Sequence, residues 1–217
     1  MIYVGLDMSL KSPGMCVYDD KTKTVDLYGW KQLKRHDSFK VYDKPCVVAQ
    51  PFPVDRFRAH LFDRIPADRW EAIAFIVDSI ISVLVSLETV PKVAIEGYAH
   101  GVVSSSKSIL CELGGALRIM LGKNNIPWEE FSPKSAKKSF SGSGNASKSD
   151  MIRSYIDFGF YSNFIDDCDP ESHPIEDMVD SVGICCSIFK QCTGSPSKKR
   201  KKSSKRIPSF LKSPRRI

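Results

Sequence analysis

Apolar and polar positions alternate in short bursts at the start of this chain, and the rhythm changes further along. The apolar run Ile2-Tyr3-Val4-Gly5-Leu6 ends on Asp7, and after a short polar segment Gly14 opens a second run, Met15-Cys16-Val17-Tyr18. Both runs are too short for helices, and Gly14 between them suits a turn, so the pattern predicts a β-hairpin. Thr24 to Trp30 alternates as a third strand of a meander. Through 31–69 the rhythm is lost, because Pro45, Pro51, Pro53 and Pro66 fall among Phe, Tyr and Arg. A surface insertion with little regular structure is expected there. Within it Arg56, Arg58 and Arg64 stand among Phe52, Phe57 and Phe62, a set that suits nucleic-acid contact or an arm packed on the domain through its aromatics.

A helical period follows. Ile73, Ile76, Ile80, Val83 and Leu84 form one stripe across Trp70 to Leu87. Pro91 precedes a short strand, Val93-Ala94-Ile95-Glu96-Gly97, that again ends in a carboxylate. Ser104 to Leu121 carries Ile109, Leu110, Leu113, Leu117 and Met120 on one helical face, with Gly114-Gly115 expected to allow close approach to a sheet. Ile126 to Phe131 reads as a strand. Ser132 as N-cap and Pro133 in the first turn then start a helix that stops at Ser141-Gly142-Ser143-Gly144-Asn145. Ser147 and Asp150 suit a capping box for the next helix, which ends at Gly159, and Pro174 opens a last one from Ile175 to about Gln191. Three strands, then helices alternating with strands, predict an α/β fold with a mixed sheet flanked by helices. The domain is expected to span 1–192, with the insertion at 31–69 and a tail at 193–217.

Charge changes that picture at one end only. The formal net charge is +7, but residues 195–217 hold ten Lys and Arg and no acid, and the remainder holds 22 basic against 25 acidic residues. The folded part is therefore slightly acidic, and the tail is a solvated polycation suited to nucleic acid. Its run Lys198-Lys199-Arg200-Lys201-Lys202 also resembles a nuclear-localisation patch, although such runs are often only solvated. The seven cysteines form no CxxC pair, which argues against a disulfide framework or zinc ribbon and for a reducing, intracellular setting; Cys185 and Cys186 read as small buried hydrophobes. Met1 leads straight into a strand, so no leader is read, and the apolar run Phe75 to Leu87 is too short to span a bilayer, so no membrane partner is expected.

The chemistry is carried by acids. An Asp closing an apolar strand needs a partner: Asp7 either accepts backbone hydrogen bonds in its turn or holds a metal. Glu96 closes another strand, and Asp177 and Asp180, three apart in the last helix, project from one face. Glu176 is an alternative to Asp177, and acids at a helix N-terminus are also favoured by its dipole. The opposite stripe, Met178, Val182, Cys185, Cys186 and Phe189, is expected to press on the sheet. Together Asp7, Glu96, Asp177 and Asp180 offer oxygen donors to hard cations, Mg²⁺ or Mn²⁺. Two ions about 4 Å apart can clamp a phosphodiester for in-line attack by water. No small-molecule cofactor is indicated. Lys134, Lys137 and Lys138 on the short helix, and Lys148 after the glycine turn, suit a phosphate backbone or a solvated lysine face.

These residues, in this order, resemble the RuvC-type Holliday junction resolvases of the RNase H-like superfamily, and most of all the divergent branch of phages and large DNA viruses. The resemblance is carried by Gly5-Leu6-Asp7-Met8-Ser9 with Gly14, Ile95-Glu96-Gly97, Glu112-Leu113-Gly114 and Ser132-Pro133 with Lys137-Lys138. It continues through Gly142-Ser143-Gly144-Asn145-Ala146-Ser147-Lys148 and Asp177-Met178-Val179-Asp180-Ser181. It implies an RNase H-like fold around a mixed five-stranded sheet and a homodimer that nicks a four-way junction symmetrically. Two metal ions per active site and a role for Lys148 near the scissile phosphate also follow. An aromatic after the second carboxylate is expected, a part for which Tyr98 and His100 compete. The insertion and the tail have no counterpart in the family. A sugar-kinase or actin-like ATPase also begins with a Gly-x-Asp hairpin but needs a second such domain. A non-catalytic DNA-binding protein of the same fold would be favoured by a missing carboxylate, and all four are present. A nuclease for flaps, forks or RNA:DNA hybrids would carry the same residues.

Overall fold

The computed structural model describes residues 1–31, 41–48, 52–63, 65–97, 105–160 and 173–194. Three strands begin the chain as an antiparallel meander: β1 (Ile2–Asp7), β2 (Gly14–Asp19) and β3 (Thr24–Lys31). Then β6 (Lys92–Glu96) pairs parallel to β1, and β7 (Trp128–Phe131) parallel to β6. These five strands are the mixed sheet expected from the sequence, in the order β3-β2-β1-β6-β7.

Two more strands join it. The insertion was expected to have little regular structure, but it contains β4 (Val41–Val48) and β5 (Val54–Asp63), an antiparallel pair whose second strand runs parallel to β3. The sheet is thus seven-stranded, β4-β5-β3-β2-β1-β6-β7. The physical reason lies in β5 itself: Phe57 and Ala59 alternate with Arg56, Arg58 and His60, and the apolar set is buried. Phe52 and Phe57 lie in the core, so these aromatics hold an arm against the domain. Across the pairing, the carboxylate of Asp26 on β3 accepts from Arg58 at 2.6 Å and meets His60 Nε2 at 3.0 Å. Tyr28 stacks on the His60 ring with centroids 4.5 Å apart.

Helices cover both faces. On one lie α1 (Arg69–Val85) and α2 (Ser105–Lys123), which bury Ile73, Ile76, Ile80, Leu84, Leu113 and Leu117 against Val4, Leu6, Val17, Val93 and Ile95. On the other lie α3 (Pro133–Ser141), α4 (Lys148–Asp157) and α5 (His173–Thr193). There Met178, Val182, Cys185, Cys186 and Phe189 pack with Tyr3, Cys16, Tyr18 and Leu27, as the last-helix stripe predicts. The caps are those the sequence indicates. Ser132 accepts from the Ser135 N–H, Gly142 closes α3 at φ 83°, and Ser147 with Asp150 forms the capping box of α4.

At Gly115, one of the pair expected to allow close approach, there is open space, and the tight contacts with the sheet are found at Gly5 and Gly14. A Cβ on Gly115 would meet nothing within 4 Å. A Cβ on Gly5 would run into the backbone of Ser181 and Cys185, and one on Gly14 into the backbone of Asp177 and Met178. Glycines in β1 and β2, facing α5, are what let that helix lie directly on the sheet. No described helix is long and apolar enough to cross a membrane.

Candidate active site

Strand alternation places the first two acids. In β1, Val4 and Leu6 face α1 and α2, so Tyr3, Gly5 and Asp7 face α5. In β6, Val93 and Ile95 face α1 and α2 while Ala94 faces α5, so Glu96 shares Asp7's side of the sheet. The parallel register sets Leu6 beside Ile95, which brings the two strand-end acids together, and their side chains share a hydrogen bond.

The close contact of α5 with Gly5 and Gly14 supplies the other two. With Ser181 and Asp177 backbone atoms over those glycines, the first turns of α5 hang above the end of β1. Asp177 and Asp180 then act on Asp7 through their charge. All four predicted carboxylates belong to one electrostatic site at the carboxyl end of β1 and β6.

Burial makes that site costly to ionise. Asp7 is only 7% exposed, and burial, reinforced by the charges of Glu96, Asp177 and Asp180, holds its carboxyl well above the ordinary range near 4. Glu96 is raised by burial first and by Asp177 next, against the opposing pull of the Asp7 hydrogen bond and of Lys137. Asp180 is pushed up to about 7, again chiefly by burial and then by Glu96. The donors are all carboxylate oxygens, and their mutual repulsion is what a divalent cation would relieve, so the residues fit Mg²⁺ or Mn²⁺ in chemical type. Among the described residues no three His, Cys, Asp or Glu side chains form a ready-made ligand cage.

Two lysines flank the acids. Lys137 on α3 donates to the Ala146 carbonyl at 3.1 Å, which fixes it beside the glycine turn, and its charge reaches Glu96 and Asp180. Lys148 opens α4, pairs with Glu176, and is held above its ordinary pKa chiefly by that hydrogen bond, so it stays a cation. Lys134 and Lys138 are exposed on α3. Tyr98 and His100, and the tail from 195 to 217, lie outside the described residues.

Two contacts at the site are not indicated by the sequence pattern. Ser12, buried at 3% exposure in the β1–β2 loop, donates its hydroxyl to Asp177 Oδ2. Glu176, read as an alternative to Asp177, is the partner of Lys148. The hint for Ser12 was its place between Asp7 and Gly14, in a loop whose ends were both already suspect. Nothing in the linear spacing points from Lys148 to Glu176.

No protein-family profile matches the sequence, and no curated protein does. Solved structures do match the fold. The structure of Thermus thermophilus RuvC aligns with a TM-score of 0.53 at 14% identity, covering 89% of this chain and 97% of that one. T. thermophilus RuvC in complex with a Holliday junction substrate aligns with a TM-score of 0.57 at 14% identity, covering 89% and 96%. The yeast mitochondrial Holliday junction resolvase Ydc2 aligns with a TM-score of 0.50 at 14% identity, covering 85% and 75%. The fold is therefore RNase H-like, of the RuvC kind.

Proposed function

We propose that this chain is a metal-dependent endodeoxyribonuclease that resolves four-way DNA junctions. The observation that carries the reading is the placement of Asp7, Glu96, Asp177 and Asp180, from two strands and one helix, at one end of the sheet within reach of one another's charge and of Lys137 and Lys148. The junction resolvases that share the fold, one of them bound to its junction, support the choice of substrate. The order of the motifs along the chain supports reading it with the phage and large-virus branch.

In this reading the four acids hold the cations, two Mg²⁺ or Mn²⁺ per site. When bound, these would neutralise the acids and the scissile phosphate together and lower the barrier to attack by water. The chain's own groups do the rest. The α5 backbone, seated on Gly5 and Gly14, fixes Asp177 and Asp180 relative to the strand ends. Lys148, with 64% of its side chain exposed, is a cation able to leave Glu176 for a backbone phosphate. Lys137, tied to Ala146, holds positive charge where the strand would approach the acids.

Symmetric cleavage of a junction needs two sites, so the functional form is a homodimer. Trp70 on α1 and Ile119 on α2, each 62% exposed, support these helices as the contact. The direct test is cleavage of labelled four-way junction, flap, duplex and RNA:DNA hybrid, with and without Mg²⁺. Paired, metal-dependent nicks in the junction alone are expected. Equal cutting of flap or hybrid would move the substrate to another branched or hybrid nucleic acid, and no cutting of any substrate would leave a DNA-binding protein of this fold.

A further inference from the structure

Two neighbouring acids at the start of α5 compete for one place in the site, and the chain deals with them differently. Glu176 is engaged by Lys148, the first residue of α4, and so is turned toward that helix. Asp177 is engaged by Ser12, which comes from the same β1–β2 loop that begins at Asp7. That loop is itself braced. Ser9 Oγ accepts from the N–H groups of Lys11 and Ser12, both at 3.3 Å, and the Pro13 carbonyl accepts from Trp30 N–H at 3.2 Å on β3. One residue later Gly14 meets the Asp177 backbone. Backbone and side chain of Asp177 are therefore both located by residues 12–14.

We propose that Ser12 is a positioning residue whose buried hydroxyl selects Asp177, rather than the adjacent Glu176, as the fourth carboxylate of the metal site. The inference rests on the metal-dependent reading given above. With Oδ2 held by Ser12, the carboxylate plane of Asp177 is set before any ligand arrives, and its other oxygen has a defined direction. A freely rotating acid would lose that rotamer freedom on binding. Groups that hold a ligand in this way are worth about 10–100-fold in metal affinity.

Titration calorimetry of Mn²⁺ into the full chain without DNA, with thermal melts in EDTA alongside, tests this. Ser12→Ala and Ser12→Val are expected to bind Mn²⁺ at least about tenfold more weakly than wild type. Ser12→Thr, nearly the same shape as Val but with the hydroxyl, should stay within about threefold of wild type. Glu176→Gln should keep wild-type affinity, and Asp177→Asn should lose as much as Ser12→Ala or more. A purely structural Ser12 would lower the EDTA melts of Ala and Val while leaving their affinity alone, and that result overturns the proposal. So does a loss in Glu176→Gln equal to that in Asp177→Asn, a comparison that holds even if Ser12→Ala does not fold. If wild type itself takes up no Mn²⁺, the metal-dependent reading fails, and this inference with it.

Discussion

Asp7 sets the terms at the scale of single residues. Asp7, Glu96 and Asp180 all have carboxyl groups raised in the fold, by burial first. A raised acid favours the folded state while it is protonated. Its contribution is full below the unfolded value near 4 and is lost as pH climbs through the folded value, about 7 for Asp180. Above neutrality, then, the free protein carries charges its fold does not want. Asp7→Asn should raise the melting midpoint at pH 8 in EDTA, by about 2–4 °C for each kcal/mol recovered, and the gain should shrink as pH falls toward 4. The same change should abolish Mg²⁺-dependent cleavage and any stabilisation by Mg²⁺. A melting curve at pH 8 that Asp7→Asn lowers would contradict this account.

That pairing of burial with charge is also why these residues could be found without coordinates. An acid at the end of an apolar strand breaks a pattern, and Asp7 and Glu96 stand out by breaking it. Asp177 and Asp180 stand out by sharing a helical face. Gly5, Ser12 and Glu176 break no pattern: a glycine in a strand, a serine in a loop and an acid at a helix start are all ordinary. Their roles arise from contacts between separate segments, Ser12 with Asp177, Gly5 with Ser181 and Cys185, and Glu176 with Lys148, which no local period records.

Among the elements, the added hairpin shows a different reason for illegibility. The alternation in β5 is regular, but prolines before it and aromatics on both faces hide it. Its attachment is polar as well as apolar. Asp26 is buried at 8% exposure and serves both Arg58 and His60. Asp26→Ala leaves the Arg58 guanidinium without that carboxylate and should cost about 1.5–3 kcal/mol. Because β4 and β5 form an edge of the sheet, the loss should be local. Hydrogen exchange should quicken in residues 41–63 while amides of β1 and β6 keep their protection. Uniform quickening across the sheet would mean that the hairpin is integral to the core rather than latched onto it.

At the scale of the whole molecule, the proposed paired cleavage requires two copies. Trp70 and Ile119, each 62% exposed, lie on the two helices that cover the face opposite the acids, which is why those helices are the contact to test. Sedimentation should show a dimer, and Ile119→Asp should shift it toward monomer with the melting midpoint unchanged to within a few degrees. The monomer should still bind a junction but lose paired incision, since each nick would then be independent. Persistence of the dimer in Ile119→Asp would place the contact elsewhere.

The last helix carries a consequence for how the protein is made. Half of the acids, and much of the core on one side of the sheet, arrive with α5, whose first residue is 173 of 217. A chain cut short by a nonsense codon, or still in synthesis before that point, holds Asp7 and Glu96 on strands without the helix that lies over their side of the sheet. Such a fragment lacks half of the acid cluster and one side of its core for the same reason. Errors of translation before α5 therefore yield material for proteolysis rather than a partly folded body that keeps two of the four acids.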